Sequence, residues 1–243
     1  INDDEVTFEN AWGVCDEDIY NKLLTVTDKQ HATGKPFFNF VMNNSNHQPF
    51  TYPDGVIEIP SGKNREGAVK YADLALKNFF INAKKKPWYK NTVFVVMSDH
   101  CAYSAGRTEI NIERYHIPGM IINLPNQENR VVDKLCSQMD VFPTLFGYLN
   151  WTYKSNSYGQ DIRKTTKENE RAFVANYRRL GLLKKDRLIV LNSEADGIEY
   201  IWHKKENKIT ETIKDPLLYN ELISYYQTAY DLYKNGGLKD FTK

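Results

Sequence analysis

No apolar run in this chain approaches the about 20 residues that a membrane-spanning helix needs, which excludes such a helix within the 243 residues. The opening residues carry no signal-peptide pattern either. An excess of one charge is also missing: 32 Lys and Arg face 31 Asp and Glu, a formal net charge of +1. That balance argues against a nucleic-acid partner, whose footprint is a strong basic excess. Cysteine is scarce. Cys15, Cys101 and Cys136 are an odd number at wide spacing, which fits neither a disulfide framework nor a zinc-ligand pattern. Three reduced thiols is the simplest reading, with one disulfide plus a free thiol as the alternative. Cys101 follows His100 directly, but nucleophilic use needs an activating base, so it reads as a packing residue. The chain opens at Ile1 rather than at a methionine, which predicts a fragment. What is present is the composition of a folded protein, 41% apolar and 13% aromatic, in a chain long enough to bury a core.

Strand and helix patterns alternate. Lys35-Pro-Phe-Phe-Asn-Phe-Val-Met42 predicts a buried strand, and 43–62, rich in Asn, Ser, Pro and Gly, predicts a long surface loop. A loop of that length in a compact domain is more often functional than idle. From Asn64 the spacing turns helical, with Ala72, Leu76, Phe79 and Ala83 as the core stripe and Lys84-Lys85-Lys86-Pro87 as the stop. Residues 91–98 predict a second buried strand and 117–124 a third. A helix is expected over 138–149, with Asp140 as N-cap and Pro143 in its first turn. Beyond a polar stretch at 150–170, β-rich runs at 171–177, 187–192 and 198–203 suggest an antiparallel sheet. A last amphipathic helix over 216–233 places Leu218, Leu222, Tyr225 and Tyr226 on one face. The alternation predicts an α/β fold: a mostly parallel sheet flanked by helices, with a smaller C-terminal antiparallel β-plus-helix part. The expected division is 1–165 and 166–243.

The second predicted strand ends in Asp99-His100. Ligands of open α/β sheets bind beyond the carboxyl ends of the strands, and a carboxylate beside an imidazole suits a divalent cation. The plain alternative is an ordinary strand end with Asp99 capping a turn. His47, in Asn43-Asn-Ser-Asn-His47-Gln-Pro49-Phe50, follows the first predicted strand and so falls on the same sheet edge. An imidazole there can donate to a phosphate or move a proton. Taken alone, His47 reads first as a turn histidine bonded to local backbone. Arg107, next to Gly106, offers a guanidinium for bidentate oxyanion binding, or else a solvated surface charge. His116 stands near the amino end of the third strand and reaches the site only if the preceding loop folds back. Two protein ligands leave Zn²⁺, Mn²⁺ or Mg²⁺ under-coordinated. The remaining ligands and the nucleophile are therefore expected upstream of Ile1.

Taken together, these segments resemble a known family. Asp99-His100-Cys-Ala-Tyr-Ser-Ala-Gly-Arg107-Thr-Glu, then Glu113-Arg-Tyr-His-Ile-Pro118, is similar to the lipoteichoic-acid-synthase-like sulfatase family of the alkaline phosphatase superfamily. Met42-Asn-Asn-Ser-Asn-His47-Gln-Pro-Phe50-Thr-Tyr-Pro resembles its substrate-histidine segment, and Asp140-Val-Phe-Pro-Thr-Leu its shared helix. The motifs run in family order over about residues 10 to 165.

The resemblance implies a metal-dependent enzyme on the extracytoplasmic face of a bacterial membrane, anchored by upstream helices. It implies transfer of a polyol phosphate, phosphoglycerol in type, from a lipid-linked phosphodiester donor to an envelope glycan or polymer. An upstream threonine would be the nucleophile. One divalent cation, Mn²⁺ favoured over Mg²⁺ or Zn²⁺, would be held partly by Asp99 and His100, and His47 would bind the phosphoglycerol group. Arg107 matches a basic anion-binding residue by position only, and His116 joins them as a substrate-binding candidate. Cys101 stands where many relatives have Gly, which marks a possible subgroup. The alternatives are a sulfatase of the same superfamily and a non-catalytic envelope binding domain. Without its upstream half, the chain is expected to be inactive.

Overall fold

The first long helix, α1 (Asp16–Ala32), starts on three acidic residues and ends near Lys29 and His31, matching the helix dipole at both ends. It packs on α2 (Arg65–Ala83): Tyr20 and Phe79 meet at 5.2 Å between ring centroids, and Asn78 Nδ2 donates to Glu17 Oε1 at 3.2 Å. α2 is capped by Asn64, whose side chain accepts from the Gly67 N–H at 2.9 Å. Its buried stripe is Ala68, Tyr71, Ala75, Phe79 and Ala83. Ala72 and Leu76 flank that stripe half-buried, so the core face lies about one residue from the predicted one. A two-stranded hairpin, β1 (Glu9–Asn10) with β2 (Gly13–Val14), precedes α1. Cys15, Tyr52, Ala68 and Tyr71 form a core beside it.

These elements belong to one of two units in the computed structural model, Ile1–Thr92 and Val93–Lys243. Residues 1–102, 110–194 and 196–238 are described.

In the first unit the run at 36–42 forms no strand and joins no ladder among the described residues. Phe38, Phe40 and Met42 are 73%, 74% and 66% exposed, so the expected buried strand is covered on one side only. Its other side lies toward α1, where Asn39 bonds with Gln30 and Thr27.

In the second unit, β3 (Phe94–Met97) pairs with β4 (Gly119–Ile122), Phe94 opposite Ile122 and Met97 opposite Gly119. The pairing is antiparallel, and every ladder among the described residues is of that kind. The parallel pairing expected from alternating strands and helices is not among them. The described part of the β3–β4 connection carries only a 3-10 turn, Ile112–Tyr115, so nothing there makes the helical crossover that parallel neighbours require.

A five-stranded antiparallel sheet follows, in the order β5 (Ala172–Ala175), β6 (Leu180–Lys184), β7 (Arg187–Leu191), β8 (Gly197–His203) and β9 (Lys208–Thr212). One face buries Ile110, Ile112, Val174, Leu183, Leu188 and Val190. The other buries Leu182, Ile189 and Leu191 against Leu218 and Leu222 of α4 (Pro216–Lys234). The predicted apolar face of α4 is therefore right at Leu218 and Leu222, whereas Tyr226 points outward at 59% exposed. The helix α3 (Val141–Tyr148) forms as expected, but its entry differs. Ser137 and Asp140 form a reciprocal capping box over a 3-10 turn, Gln138–Asp140. Asp140 makes no side-chain cap of its own to α3.

Candidate active site

The loop that carries His47 is held by residues 27 to 36 positions earlier. Asp16, fully buried at the start of α1, accepts from the Ser45 N–H at 3.0 Å and the Asn44 N–H at 3.1 Å through Oδ1. Its Oδ2 accepts from Asn43 Nδ2 at 3.0 Å, and the Asp16 N–H donates to Ser45 Oγ at 3.0 Å. A buried carboxylate surrounded by donors is satisfied, and the loop that supplies them is fixed. Burial, and secondarily the Asp16 charge, pushes the Tyr20 phenol up to about 12, so it stays neutral beside Asn43. Burial likewise raises the Cys15 thiol above its ordinary range, which suits a packing role rather than a reactive one. All three cysteines are free.

Trp12 sits in the turn of the β1–β2 hairpin. Gly13, at φ +120°, takes a backbone conformation that L side chains rarely adopt. That turn sends Trp12 against the loop. The indole stacks on the His47 imidazole with centroids 4.0 Å apart and planes 22° apart, and Nε1 donates to Gln48 O at 2.6 Å. The His47 N–H donates to Asn44 O at 3.0 Å, and the Phe50 N–H to His47 O at 2.7 Å. Phe50 holds φ +65°, a strained conformation for an aromatic residue and of the kind that collects at binding loops. His47 is thus a half-buried, ordered side chain in a built loop.

In the second unit, Gln138 holds the turn that follows β3. Its Nε2 donates to Ser98 O at 2.9 Å and to Asp99 O at 2.6 Å. Asp99 Oδ1 accepts from the His100 N–H at 2.8 Å, and His100 Nδ1 lies 2.8 Å from Cys101 O. A carbonyl oxygen only accepts, so Nδ1 carries a proton; in the neutral ring Nε2 then keeps its lone pair. Nε2 stands 3.4 Å from Asp99 Oδ2, and the side chains of Asp99 and His100 are 67% and 65% exposed. In that state an imidazole nitrogen and a carboxylate oxygen lie side by side, with the imidazole oriented by a carbonyl as in many metal-ligating histidines. Among the described residues no group of three His, Cys, Asp or Glu gathers at one point. The donor set fits part of a divalent-metal site.

The antiparallel register relocates His116. With Met97 opposite Gly119 and the Ser98 N–H donating to Pro118 O at 3.3 Å, the amino end of β4 lies beside the carboxyl end of β3. His116, exposed and bonded through its N–H to Glu113 O at 3.1 Å, therefore belongs to the Asp99 end of this sheet. No folding back of a loop is needed. Arg107 lies outside the described residues. Trp12, Asp16 and Gln138 were not legible as site residues. Only the acidic first turn of α1 gave any signal, and that signal reports a helix start.

The sulfatase family model matches residues 1–151. The chain belongs to the sulfatase family. A solved structure of an alkaline phosphatase superfamily protein from Vibrio parahaemolyticus superposes with a TM-score of 0.90 at 31% identity, covering 97% of this chain and 58% of that one. This sulfatase-family chain thus has the alkaline phosphatase superfamily fold that its motifs imply. It is 27% identical over 177 residues to a lipoteichoic acid synthase-like protein of Bacillus subtilis, covering 63% of this chain and 28% of that protein. With phosphoglycerol transferase I of Escherichia fergusonii it shares 28% identity over 106 residues, 40% of this chain and 13% of that protein. With the lipoteichoic acid synthase of Staphylococcus saprophyticus it shares 26% over 160 residues, 58% and 24%. The chain therefore spans no more than 28% of the length of these curated relatives. Among the described residues no helix is long and apolar enough to cross a membrane.

Proposed function

We propose that this chain is the C-terminal half of the catalytic domain of an envelope phosphotransferase. The reaction is transfer of a polyol phosphate, phosphoglycerol in type, from a lipid phosphodiester to a glycan or polymer hydroxyl. The observation that carries the reading is the Asp99–His100 pair, with its Nε2 and carboxylate side by side at a strand end, in a chain whose relatives are named as lipoteichoic acid synthase-like, lipoteichoic acid synthase and phosphoglycerol transferase. A divalent cation, Mn²⁺ favoured, would supply charge stabilisation of the phosphoryl oxygens and activation of the nucleophile. Asp99 brings the anionic donor and His100 the neutral one. His47 donates from its ring edge to the phosphate of the glycerol phosphate group, and its fixed loop means little reorganisation at the moment of reaction. His116 and Arg107 belong to the same proposal as contacts to substrate oxygens. An upstream threonine oxygen forms the new bond to phosphorus while the bond to the diacylglycerol oxygen breaks. The acceptor hydroxyl oxygen then bonds to phosphorus while the threonine oxygen–phosphorus bond breaks, the acceptor's proton restoring the threonine hydroxyl. The active face is extracytoplasmic, and the membrane anchor lies in the upstream part. The 243-residue chain alone is inactive on this reading.

The test compares two substrates with the full-length protein. Release of diacylglycerol from phosphatidylglycerol should require added Mn²⁺ and stop with a chelator, and an aryl sulfate should not be hydrolysed. Sulfate release with no action on the diester would favour the sulfatase. Neither activity would favour a binding domain. Metal-dependent diesterase activity from the 243-residue chain alone would contradict the half-site reading.

A further inference from the structure

We infer that Trp12 is a positioning residue for His47, setting the orientation in which its imidazole meets the substrate anion. The inference rests on the reading of His47 given above. Two separate devices grip the loop. Asp16, itself buried, holds its first part, at Asn43, Asn44 and Ser45, through hydrogen bonds. Nothing in that set touches the imidazole. Trp12 holds the second part: its Nε1 donates to Gln48 O at 2.6 Å and its ring covers one face of His47 at 4.0 Å, while its carbonyl also accepts from Asn44 Nδ2 at 3.0 Å in the first part.

The chemistry of the stack explains why an indole stands here. A ring lying 22° from parallel restricts rotation of the imidazole about its χ2 bond, because turning edge-on would drive ring atoms into the indole. The nitrogens of an imidazole lie in its plane, so a stack blocks one face and leaves both nitrogens free at the edge. Those are the atoms that donate to an anion. Trp12 Nε1 is already spent on Gln48, which anchors the indole and leaves carbon surface against His47. Yet Trp12 is 53% exposed. A large aromatic left half in solvent contributes less burial than a core tryptophan, so core packing alone does not account for it.

Trp12→Leu keeps an apolar side chain but removes the ring, and Trp12→Phe keeps a ring without the N–H. In the ligand-free 243-residue chain, the His47 ring protons should be displaced upfield of those of the other four histidines by the indole ring current. Trp12→Leu should abolish that displacement with the backbone amide spectrum of the rest of the chain unchanged, and Trp12→Phe should largely restore it. Titration with sn-glycerol 3-phosphate should then show about tenfold weaker binding for Trp12→Leu, with Trp12→Phe within about threefold of wild type. His47 ring signals that do not respond to Trp12→Leu overturn the inference. So does an affinity within twofold of wild type in a background where His47→Ala abolishes binding; the His47 reading then stands without Trp12. If His47→Ala binds as well as wild type, the His47 reading falls and the positioning role falls with it.

Discussion

Asp99→Asn in the full-length protein is expected to lower phosphodiester turnover by about 10³-fold while leaving the fold intact. The residue is two-thirds exposed, and its Oδ1 accepts one local N–H, from His100. An amide oxygen can keep that bond, so little stability is at stake. What the substitution removes is the only formal negative charge of the Asp99–His100 pair. A loss of about 4 kcal/mol of transition-state charge stabilisation corresponds to that factor. The measurement is kcat on a phosphatidylglycerol analogue at saturating Mn²⁺, with far-ultraviolet circular dichroism as the fold control. A decrease below about tenfold would place the catalytic metal elsewhere. A matching His100→Ala variant should behave alike. A large loss in only one of the two would break the pair into a ligand and a bystander.

Asp140→Ala carries the largest expected effect on stability, about 3–5 kcal/mol, because it strands a buried charge. Asp140 and Arg171 are each 2% exposed, and Arg171 Nη1 lies 3.3 Å from Asp140 Oδ1. The carboxylate also accepts from the Ser137 N–H at 2.8 Å and the Gln160 N–H at 2.7 Å. The guanidinium bonds to Tyr158 O and lies over the rings of Phe173 and Tyr225, at 5.1 and 5.5 Å from their centroids. Removing Asp140 leaves two backbone donors and a cation without their acceptor in a site that excludes water. Urea unfolding of the 243-residue chain should show the loss as a lower midpoint at unchanged slope. The double variant Asp140→Ala/Arg171→Met should recover part of it, since no charge is then stranded. A single-variant loss below about 1 kcal/mol would show that water reaches the pair. The family motif that opens with Asp140 is, in this account, a structural hub of the second unit.

Legibility in the sequence followed the type of signal. Apolar periodicity located α2, α3 and α4, because the positions that repeat are the ones that pack. It missed α1, whose buried residues include Asp16, Asp18 and Thr27 alongside Tyr20 and Leu24. A helix that buries carboxylates to bind loops does not look amphipathic. β9 was missed because Lys208, Thr210 and Glu211 are exposed and leave little apolar pattern, and β6 because it is a short run interrupted by Gly181. Strand direction lay beyond periodicity altogether: β3 and β4 read the same whether parallel or antiparallel. The direction matters, since it decides which end of the sheet His116 joins. Asp99, His100 and His47 stand out as candidates through short motifs, which carry chemistry locally. Trp12 and Asp16 do not, because they act on His47 and its loop across about 30 positions that only the fold brings together.

The central claim is that Asp99 and His100 are the metal-holding half of the catalytic centre. Its most direct test is pulsed electron paramagnetic resonance of Mn²⁺ bound to the full-length protein, reading the nitrogen coupling of a directly bound imidazole. About one tightly bound Mn²⁺ per chain with such a coupling is expected, lost in His100→Ala, with weaker binding in Asp99→Asn. An imidazole coupling that persists unchanged in His100→Ala would contradict it.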